Sequence, residues 1–387
     1  MRIALFSWES LHSILVGGVA YHVTELACAL ERKGHEVHVF TRMGRPNHAY
    51  YERIDGVHYH RCPFSAHPDF VEEINVMNRA FTDAFFQTED YIGTFDIVHA
   101  HDWLTVPAMV EVKNHRGHPC ILTIHSTEYG RCGNQMYEGT SRRIRDIEWR
   151  GTYEADSVIA VSNSLKNEIQ SLYSTPDDKL NVIYNGICYW NFDGWIDPAA
   201  VRKMYDIGPM DPMVLFVGRM TSQKGPDLLV EAIPFVLNYH HNAKFILAGE
   251  GDMRAGVEER ARQLGVNHAV RYFGYLDRWK LIDLYKACDC VCMPSRNEPF
   301  GIVILEGWSA GKPVVACDTG GPSEIVWHDV NGYKVFPTPD SIAWGIGTLF
   351  SDFDHARWMG RNGRVAAETV FSWDRISDEV AAVYHGC

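Results

Sequence analysis

Two carboxylates in the stretch SRNEPFGIVILEGWSAGKP, residues 295–313, are candidates for binding a polar ligand. Glu298 lies in a turn that contains proline, and Glu306 follows eight residues later in an apolar segment that predicts a helix beginning near Phe300 and Gly301. Helical rise would separate the two acids by about 12 Å, and the helix start would present free N–H groups. The pair could hold hydroxyls at two ends of one long ligand. Two surface acids on an amphipathic helix are the alternative, which leaves the apolar neighbours of Glu306 unexplained.

Two cations lie close together in the segment FVGRMTSQKG. Arg219 and Lys224 are five residues apart, between a predicted strand and a predicted helix, and are flanked by Gly218 and Gly225. A guanidinium group and an ammonium group near a helix start can bind a diphosphate together. Solvated loop charges are the alternative. The pairing is unusual in a chain whose formal net charge is −13.

Two adjacent glycines, Gly17 and Gly18, precede the first predicted helix. They would let a phosphate or a sugar approach the backbone, where the helix N-terminus supplies positive potential. A tight turn needed only for packing explains them equally well. Nine residues separate the first strand from the glycines, and no G-x-G-x-x-G pattern is present. A dinucleotide-dependent dehydrogenase is therefore disfavoured.

Histidines end two of the predicted strands, in VHAHDW and LTIHS. The two-residue period of a strand places His99 and His101 on one face, and Asp102 stands where a helix N-cap is expected. One core histidine with a capping aspartate is one interpretation, and a His–His–Asp metal site is a weaker one. The interpretation we favour makes His101 a hydrogen-bonding or acid/base group. His125 occupies the same kind of strand end.

Size and composition limit the classes of protein that remain. A chain of 387 residues exceeds one ordinary core and predicts two domains, and so a cleft. The negative charge argues against a nucleic-acid surface. No apolar run is long enough to span a membrane, and the N-terminus predicts a strand rather than a signal peptide. We therefore expect cytoplasmic residence, with the alternating Cys288, Cys290 and Cys292 as buried core residues rather than zinc ligands.

Strand and helix patterns alternate along the whole chain, which predicts an α/β protein. The series breaks near residues 188–198 and then restarts. We predict two tandem doubly wound parallel-sheet domains, residues 1–190 and 191–370, facing a cleft. Residues 371–387 predict a helix that packs back on the first domain. In such sheets ligands bind at the carboxyl ends of the strands.

Taken together, these motifs resemble one known family. The E-x7-E spacing in NEPFGIVILE, the GR…KG loop, the GG loop and HAHDW are similar to retaining glycosyltransferases of the GT-B fold, which has two Rossmann-like domains. Glycogen and starch synthases and sucrose-synthase-like enzymes are among these relatives. The resemblance covers nearly the whole chain.

The resemblance implies a retaining transfer of a hexose, with glucose preferred, from ADP- or UDP-glucose to an α-glucan, without a metal or other cofactor. By position, Arg219 and Lys224 would bind the diphosphate, Glu298 would bind sugar hydroxyls, and His101 would lie near the reacting sugar. Further donor contacts implied are Gly17, Gly18, His125, Gly218, Tyr275, Phe300, Gly301, Ile302 and Glu306.

The acceptor is the least determined part of the prediction. The segment CDTGGPSEIVWHDVNGYKVFP is more similar to transferases with small or lipid acceptors. A basic stretch with Arg142, Arg143 and Arg145 has the pattern of a helix that docks on a membrane surface. The overall negative charge of the chain disfavours such docking. A glucan phosphorylase, a sugar-nucleotide epimerase and a non-catalytic sugar-nucleotide binding protein are the rival hypotheses.

Overall fold

The computed structural model describes residues 1–387. The chain divides into two compact units, which we call unit 1 (residues 1–186 and 373–387) and unit 2 (residues 187–372). Each unit is built on one sheet. Central strands such as Ile97–His101 and Cys120–Ile124 are buried at every position, which requires cover on both faces of the sheet.

Unit 1 begins with alternating strands and helices. Its strands are β1 (Arg2–Ser7), β2 (Glu36–Arg42), β3 (Tyr51–Ile54), β4 (Val57–Cys62), β5 (Ile97–His101), β6 (Cys120–Ile124), β7 (Ser157–Ala160) and β8 (Leu180–Val182). Its helices in this part of the chain are α1 (Gly18–Arg32), α2 (Phe70–Ile92), α3 (Val106–Arg116), α4 (Glu128–Arg131), α5 (Thr140–Glu154) and α6 (Asn163–Tyr173).

Unit 2 repeats the alternation after the predicted break, and its first helix begins at Pro198 as expected. Its strands are β9 (Met213–Val217), β10 (Lys244–Ala248), β11 (Val270–Phe273), β12 (Cys290–Met293), β13 (Val314–Cys317) and β14 (Gly332–Val335). Its helices are α7 (Pro198–Met204), α8 (Pro226–Leu237), α9 (Arg254–Gln263), α10 (Arg278–Ala287), α11 (Ile302–Ser309), α12 (Pro322–Ile325), α13 (Pro339–Ser351) and α14 (Phe353–Thr369).

Strand order explains where each sheet can bind a ligand. In unit 1 the order is β3-β4-β2-β1-β5-β6-β7-β8, and in unit 2 it is β11-β10-β9-β12-β13-β14. Successive connections leave in opposite directions between β1 and β5, and between β9 and β12. Such switch points open a crevice at the carboxyl ends of the strands. The loops after β1, β5, β9 and β12 are therefore the ones placed to hold a ligand.

The last helix, α15 (Trp373–His385), completes unit 1 by packing on α1. Trp373 is almost fully buried, and its Nε1–H donates to Glu25 Oε2 at 2.5 Å. Its ring leaves no room for a side chain at Gly186, where a Cβ would lie 2.5 Å from the indole. The predicted return of the C-terminal helix to the first domain is thereby confirmed.

One part of unit 1 differs from the predicted all-parallel alternation. Strands β3 and β4 form an antiparallel hairpin at the sheet edge, with Asp55 and Gly56 in its turn at φ of 50° and 82°. Helix α2 is the longest helix of the structure, with 23 residues. The three neighbouring cysteines are buried and free of disulfides, although Cys288 precedes β12 rather than sharing a strand face with Cys290 and Cys292.

Candidate active site

The cation loop of unit 2, residues 218–225, follows β9 at the switch point of the sheet. Arg219 is exposed and donates to Gln223 Oε1 at 3.2 Å. Lys224 closes a short 3-10 turn, and Gly225 follows it in the left-handed region at φ 66°. A Cβ on Gly225 would lie 2.2 Å from the carbonyl oxygen of Pro294. Glycine is therefore required for the cation loop to pack against the loop after β12.

Glu298 meets the cation loop directly. Lys224 Nζ lies 2.7 Å from Glu298 Oε2, and the Ser295 hydroxyl donates to the same oxygen at 3.2 Å. Glu298 is only 8% exposed, so this ion pair is poorly screened by solvent. The structure thus brings together an acid and a cation that the sequence places 74 residues apart.

A second glycine pair, Gly320 and Gly321, packs against the backbone of the Glu298 loop. The N–H of Gly321 donates to the Glu298 carbonyl at 2.9 Å. Gly320, at φ 58°, has no space for a side chain, because a Cβ would lie 2.1 Å from the same carbonyl oxygen. A Cβ on Gly321 would lie 2.4 Å from the Cα of Phe300. These two glycines set the position of the Glu298 loop.

Arg296 ties the loop after β12 to the cation loop. Its guanidinium binds both carboxylate oxygens of Asp227, at 2.8 and 2.6 Å, and the Ser222 carbonyl at 2.9 Å. Its backbone N–H donates to the Gln223 carbonyl at 2.9 Å. A bidentate pair of this kind fixes direction as well as distance. Arg296 therefore positions the loops that carry the predicted site residues.

Helix α11 starts where the sequence predicted, with Gly301 as N-cap at φ 100° and Ile302 as its first residue. Phe300, just before the cap, is buried. Glu306 accepts a hydrogen bond from the Tyr285 hydroxyl at 2.6 Å. Glu306 therefore lies on the helix that directly follows the Glu298 loop. Tyr285 of α10 fixes the orientation of the Glu306 carboxylate.

The loop after β10 lies against the cation loop. The N–H of Met220 donates to the Glu250 carbonyl at 2.8 Å, and a Cβ on Gly249 would lie 1.9 Å from the carbonyl oxygen of Gly218. Tyr275, which follows β11, is 70% exposed. Its ring is therefore available to a ligand.

In unit 1 the glycine loop is held by an acid that the sequence analysis did not identify. Glu9 is buried, and its Oε2 accepts the N–H groups of Val16 and Gly17 at 2.6 and 2.7 Å. Burial raises the pKa of Glu9, and the two N–H donors oppose that shift. Gly18, the first residue of α1, remains exposed. Glu9 therefore shapes the loop before α1.

Histidines from three elements meet beside this loop. His101 Nδ1 lies 3.2 Å from His125 Nε2, and the ring of His22, on α1, lies 5.3 Å and 4.5 Å from their ring centroids. His99 belongs to the core instead, since its ring nitrogens contact Tyr384 Oη and Thr123 Oγ1, both at 2.7 Å. Only one of the two histidines of HAHDW thus lies in the candidate site.

Asp102 stands at the expected N-cap position, before the short 3-10 turn Trp103–Thr105, but its side chain does not cap that turn. Its side chain makes no capping hydrogen bond, and its Oδ1 instead accepts the N–H of His125 at 2.7 Å. It holds φ 58°, in the left-handed region. Burial raises the pKa of Asp102, opposed by Arg131. Its role is to fix the backbone of His125.

Known proteins are similar to this chain over its whole length. The family described as Glycosyl transferases group 1 matches residues 199–366, and Glycosyltransferase Family 4 matches residues 16–188. An uncharacterised glycosyltransferase of Methanocaldococcus jannaschii is 41% identical, over 99% of this chain and 98% of the relative. The chain belongs to the glycosyltransferases.

Other relatives of this glycosyltransferase have named activities. The glycogen synthase of Mycobacterium tuberculosis is 30% identical, over 99% of this chain and 94% of the relative. A D-inositol 3-phosphate glycosyltransferase of Xylanimonas cellulosilytica is 29% identical, over 95% of this chain and 91% of the relative.

Solved structures show that this glycosyltransferase has the GT-B fold. Sucrose-phosphate synthase from Thermosynechococcus elongatus gives a TM-score of 0.84 at 24% identity, covering 100% of this chain and 98% of the other. HepE of Anabaena, in complex with UDP and glucose, gives 0.80 at 20% identity over 100% of both chains. The catalytic domain of starch synthase IV from Arabidopsis thaliana, bound to ADP and acarbose, gives a TM-score of 0.81 at 18% identity. The match covers 100% of this chain and 98% of the other.

No helix among residues 1–387 of this glycosyltransferase has both the length and the apolar character needed to cross a membrane.

Several site residues of the glycosyltransferase were missed, although some left a signal in the sequence. Arg296 stands two residues before Glu298, and His22 lies one helical turn after Gly18. The segment TGGP, which contains Gly320 and Gly321, was interpreted only as an indication of the acceptor class. Nothing local to Glu9 or Tyr285 indicates a partner, because their partners come from other loops or helices.

Acid should destabilise unit 1 of the glycosyltransferase. Burial lowers the pKa of His22, His99 and His101 well below the usual 6.5, and that of His125 to about 3. The unfolded chain then binds more protons below about pH 6.5, so the free energy of unfolding falls as the pH drops, by about 1.4 kcal/mol per pH unit for each histidine. Urea unfolding across this range measures the slope.

His125→Asn should remove one histidine's share of this slope, because burial lowers the pKa of His125 in the folded chain. A free energy of unfolding that stays constant between about pH 7 and pH 5 would contradict the burial of neutral imidazoles.

Proposed function

We propose that this glycosyltransferase moves a hexose, with glucose as the best candidate, from a nucleoside diphosphate sugar to a hydroxyl acceptor with retention at the anomeric carbon. The donor is ADP- or UDP-glucose and the acceptor is an α-glucan. The observation that carries the proposal is the contact of Lys224 with Glu298 beside Arg219, at the switch point of unit 2. There one loop supplies cations for a diphosphate and the next supplies a carboxylate for sugar hydroxyls.

The main requirement of this reaction is to stabilise the nucleoside diphosphate as it leaves the sugar. The bond between the anomeric carbon and the phosphate oxygen breaks, a bond from the acceptor oxygen forms on the same face, and the acceptor's proton passes to the departing phosphate. Arg219, Lys224 and the N-terminus of α11 oppose the negative charge that grows on the diphosphate. Glu298 holds hydroxyls of the sugar, and Glu306 holds the ribose. With two cations supplied by the chain, no divalent metal is needed.

Relatives support the choice of donor and acceptor. A glycogen synthase is similar over nearly the whole chain. Two proteins of the same fold were solved with UDP and glucose and with ADP and acarbose. A donor panel tests the proposal, with release of nucleoside diphosphate measured in the presence and absence of maltooligosaccharide.

The expected result is turnover with ADP- or UDP-glucose that increases with oligosaccharide. Turnover confined to a GDP- or N-acetylglucosamine-type donor, or turnover unchanged by oligosaccharide, would contradict the proposed glucan acceptor. The proposal that the protein is a transferase would still stand. Release of nucleotide without any acceptor would instead support an epimerase.

A small acceptor is the second candidate. The relative that acts on D-inositol 3-phosphate is 29% identical, close to the 30% of the glycogen synthase. The same panel with inositol phosphate or a hexose phosphate in place of oligosaccharide separates the two.

Stereochemistry and metal dependence test the mechanism separately. The product should keep the α configuration of the donor, as read from the coupling of the anomeric proton. Turnover should persist in excess EDTA. An inverted product, or complete loss of activity that magnesium restores, would overturn the proposed charge stabilisation.

A further inference from the structure

Three histidines of unit 1 bring their ring nitrogens close together. His22 on α1, His101 at the end of β5 and His125 just after β6 each offer a ring nitrogen, and these atoms lie within 4.8 Å of one another. We call these residues the histidine trio.

The trio presents nitrogen lone pairs rather than charges. His22 and His101 are 5% and 1% exposed, and the Nε2 atom of each is buried without a hydrogen-bond partner. Burial lowers the pKa of all three rings, so that they are neutral at pH 7. An unsatisfied buried nitrogen is costly. Neutral imidazoles are also the form that binds a metal.

Neighbouring groups hold two members of the trio in place. His22 Nδ1 lies 2.8 Å from Asn185 Oδ1, so Nδ1 carries the proton and Nε2 carries the lone pair. Metal-binding histidines characteristically have their second nitrogen held as His22 Nδ1 is held here. At His125 it is the backbone that is held, because its N–H donates to Asp102 Oδ1 at 2.7 Å.

We propose that the histidine trio binds a divalent transition-metal ion, with zinc as the preferred ion. Three imidazole ligands with a fourth position left to water match a known zinc arrangement. Bonds of about 2.0–2.1 Å require ligand nitrogens about 3.3 Å apart, so the rings, whose nitrogens lie within 4.8 Å of one another, must close in by up to about 1.5 Å on binding. His125 is only partly buried and gives the ion a route of entry.

Occupancy of the trio inhibits transfer. This second half of the inference rests on the proposed function and on the expectation, drawn from the family resemblance, that His101 and His125 contact the donor sugar. A bound ion would take the nitrogen lone pairs that the sugar hydroxyls need. Chelation would reverse the effect, so activity in EDTA and inhibition by zinc are both expected of the same molecule.

Cobalt is the probe of binding, because Co²⁺ in a tetrahedral nitrogen site absorbs visible light whether or not the enzyme turns over. The full chain, stripped with EDTA, is titrated with Co²⁺ and then with competing Zn²⁺. We expect one equivalent of cobalt to develop the tetrahedral spectrum and zinc to abolish it. His22→Gln should weaken binding by more than the roughly 10–100-fold that loss of a supporting partner costs, and Asn185→Ala by about that factor.

His58→Gln is the matched control. His58 belongs to a separate group of stacked imidazoles, in which its ring centroid lies 4.4 Å from that of His38. Its Nδ1 contacts the Tyr51 hydroxyl at 2.7 Å. It should leave the cobalt spectrum unchanged. Thermal unfolding of each variant in EDTA verifies that it is folded, and the zinc-induced rise in melting temperature gives a second measure of binding.

The outcomes separate the two proposals. Absence of a tetrahedral cobalt spectrum, or an equal spectrum in His22→Gln, overturns the metal site and leaves hydrogen bonding to sugar as the role of the trio. A spectrum that depends on His22 without any sugar transfer sustains the site and refutes the proposed function. Zinc that binds through His22 without lowering the initial rate overturns the inhibition alone.

Discussion

Replacing Arg219 by Leu and Lys224 by Met together should lower turnover by more than the roughly 10²–10³-fold that loss of one charge-stabilising donor costs. Both side chains lie in the loop after β9, and Lys224 also holds Glu298 at 2.7 Å. The double variant therefore loses the charge opposite the departing diphosphate and the partner of the sugar-binding acid. Initial rates at saturating donor measure the effect, since the loss should fall on kcat rather than on KM alone.

The control changes the same charges elsewhere in unit 2. Lys244 is the first residue of β10, so it lies at the amino ends of the strands rather than at the carboxyl ends, and Arg262 lies in the last turn of α9. Lys244→Met with Arg262→Leu should keep turnover within a few-fold of the wild-type rate. If the two double variants behaved alike, the effect would be one of net charge, and the assignment of Arg219 and Lys224 would be wrong.

Gly320→Ala should lower turnover by about 10²-fold or more, although residue 320 touches no proposed substrate atom. The added Cβ would lie 2.1 Å from the carbonyl oxygen of Glu298, and the neighbouring Gly321 binds that oxygen at 2.9 Å. The loop must shift to relieve this clash, and a displacement of about 1 Å at a reacting group is costly. Steady-state kinetics with the preferred donor measure the loss.

Gly311→Ala separates displacement of the loop from backbone strain. Gly311 has φ 69°, close to the 58° of Gly320, but a Cβ there meets nothing within 4 Å. Both variants should lose about 1–2 kcal/mol of stability from the left-handed backbone. Only Gly320→Ala should lose turnover. Equal rates in the two variants would show that the Glu298 loop adapts.

Much of the fold was predictable because its signals are local. Apolar runs such as that of β9, the proline at the start of α8 and the glycine before α11 each act within a few residues. The β3–β4 hairpin carried a local signal as well, since Asp55-Gly56 is a typical two-residue turn between strands. It was missed because a uniformly parallel alternation was assumed.

The candidate site was predictable as a set of residue types but not as a set of contacts. Arg219, Lys224 and Glu298 each stand in the loop after a strand, which is where ligands bind in such sheets. The bridge between Lys224 and Glu298 depends on β9 and β12 being neighbours in the sheet. Strand order is a property of the whole sheet, so residues such as Glu9 and Gly320 acquire their roles only once that order is known.

The return of α15 to unit 1 dictates the sequence of events during synthesis on the ribosome. All of residues 187–372 emerge before Trp373 can fill its place against Gly186 and Glu25. The earlier-made half of the polypeptide is thus the later one to mature, and the face of α1 that α15 covers stays exposed for the longest time. Chains truncated before position 373 should attract chaperones through that face, while their unit 2 is already folded.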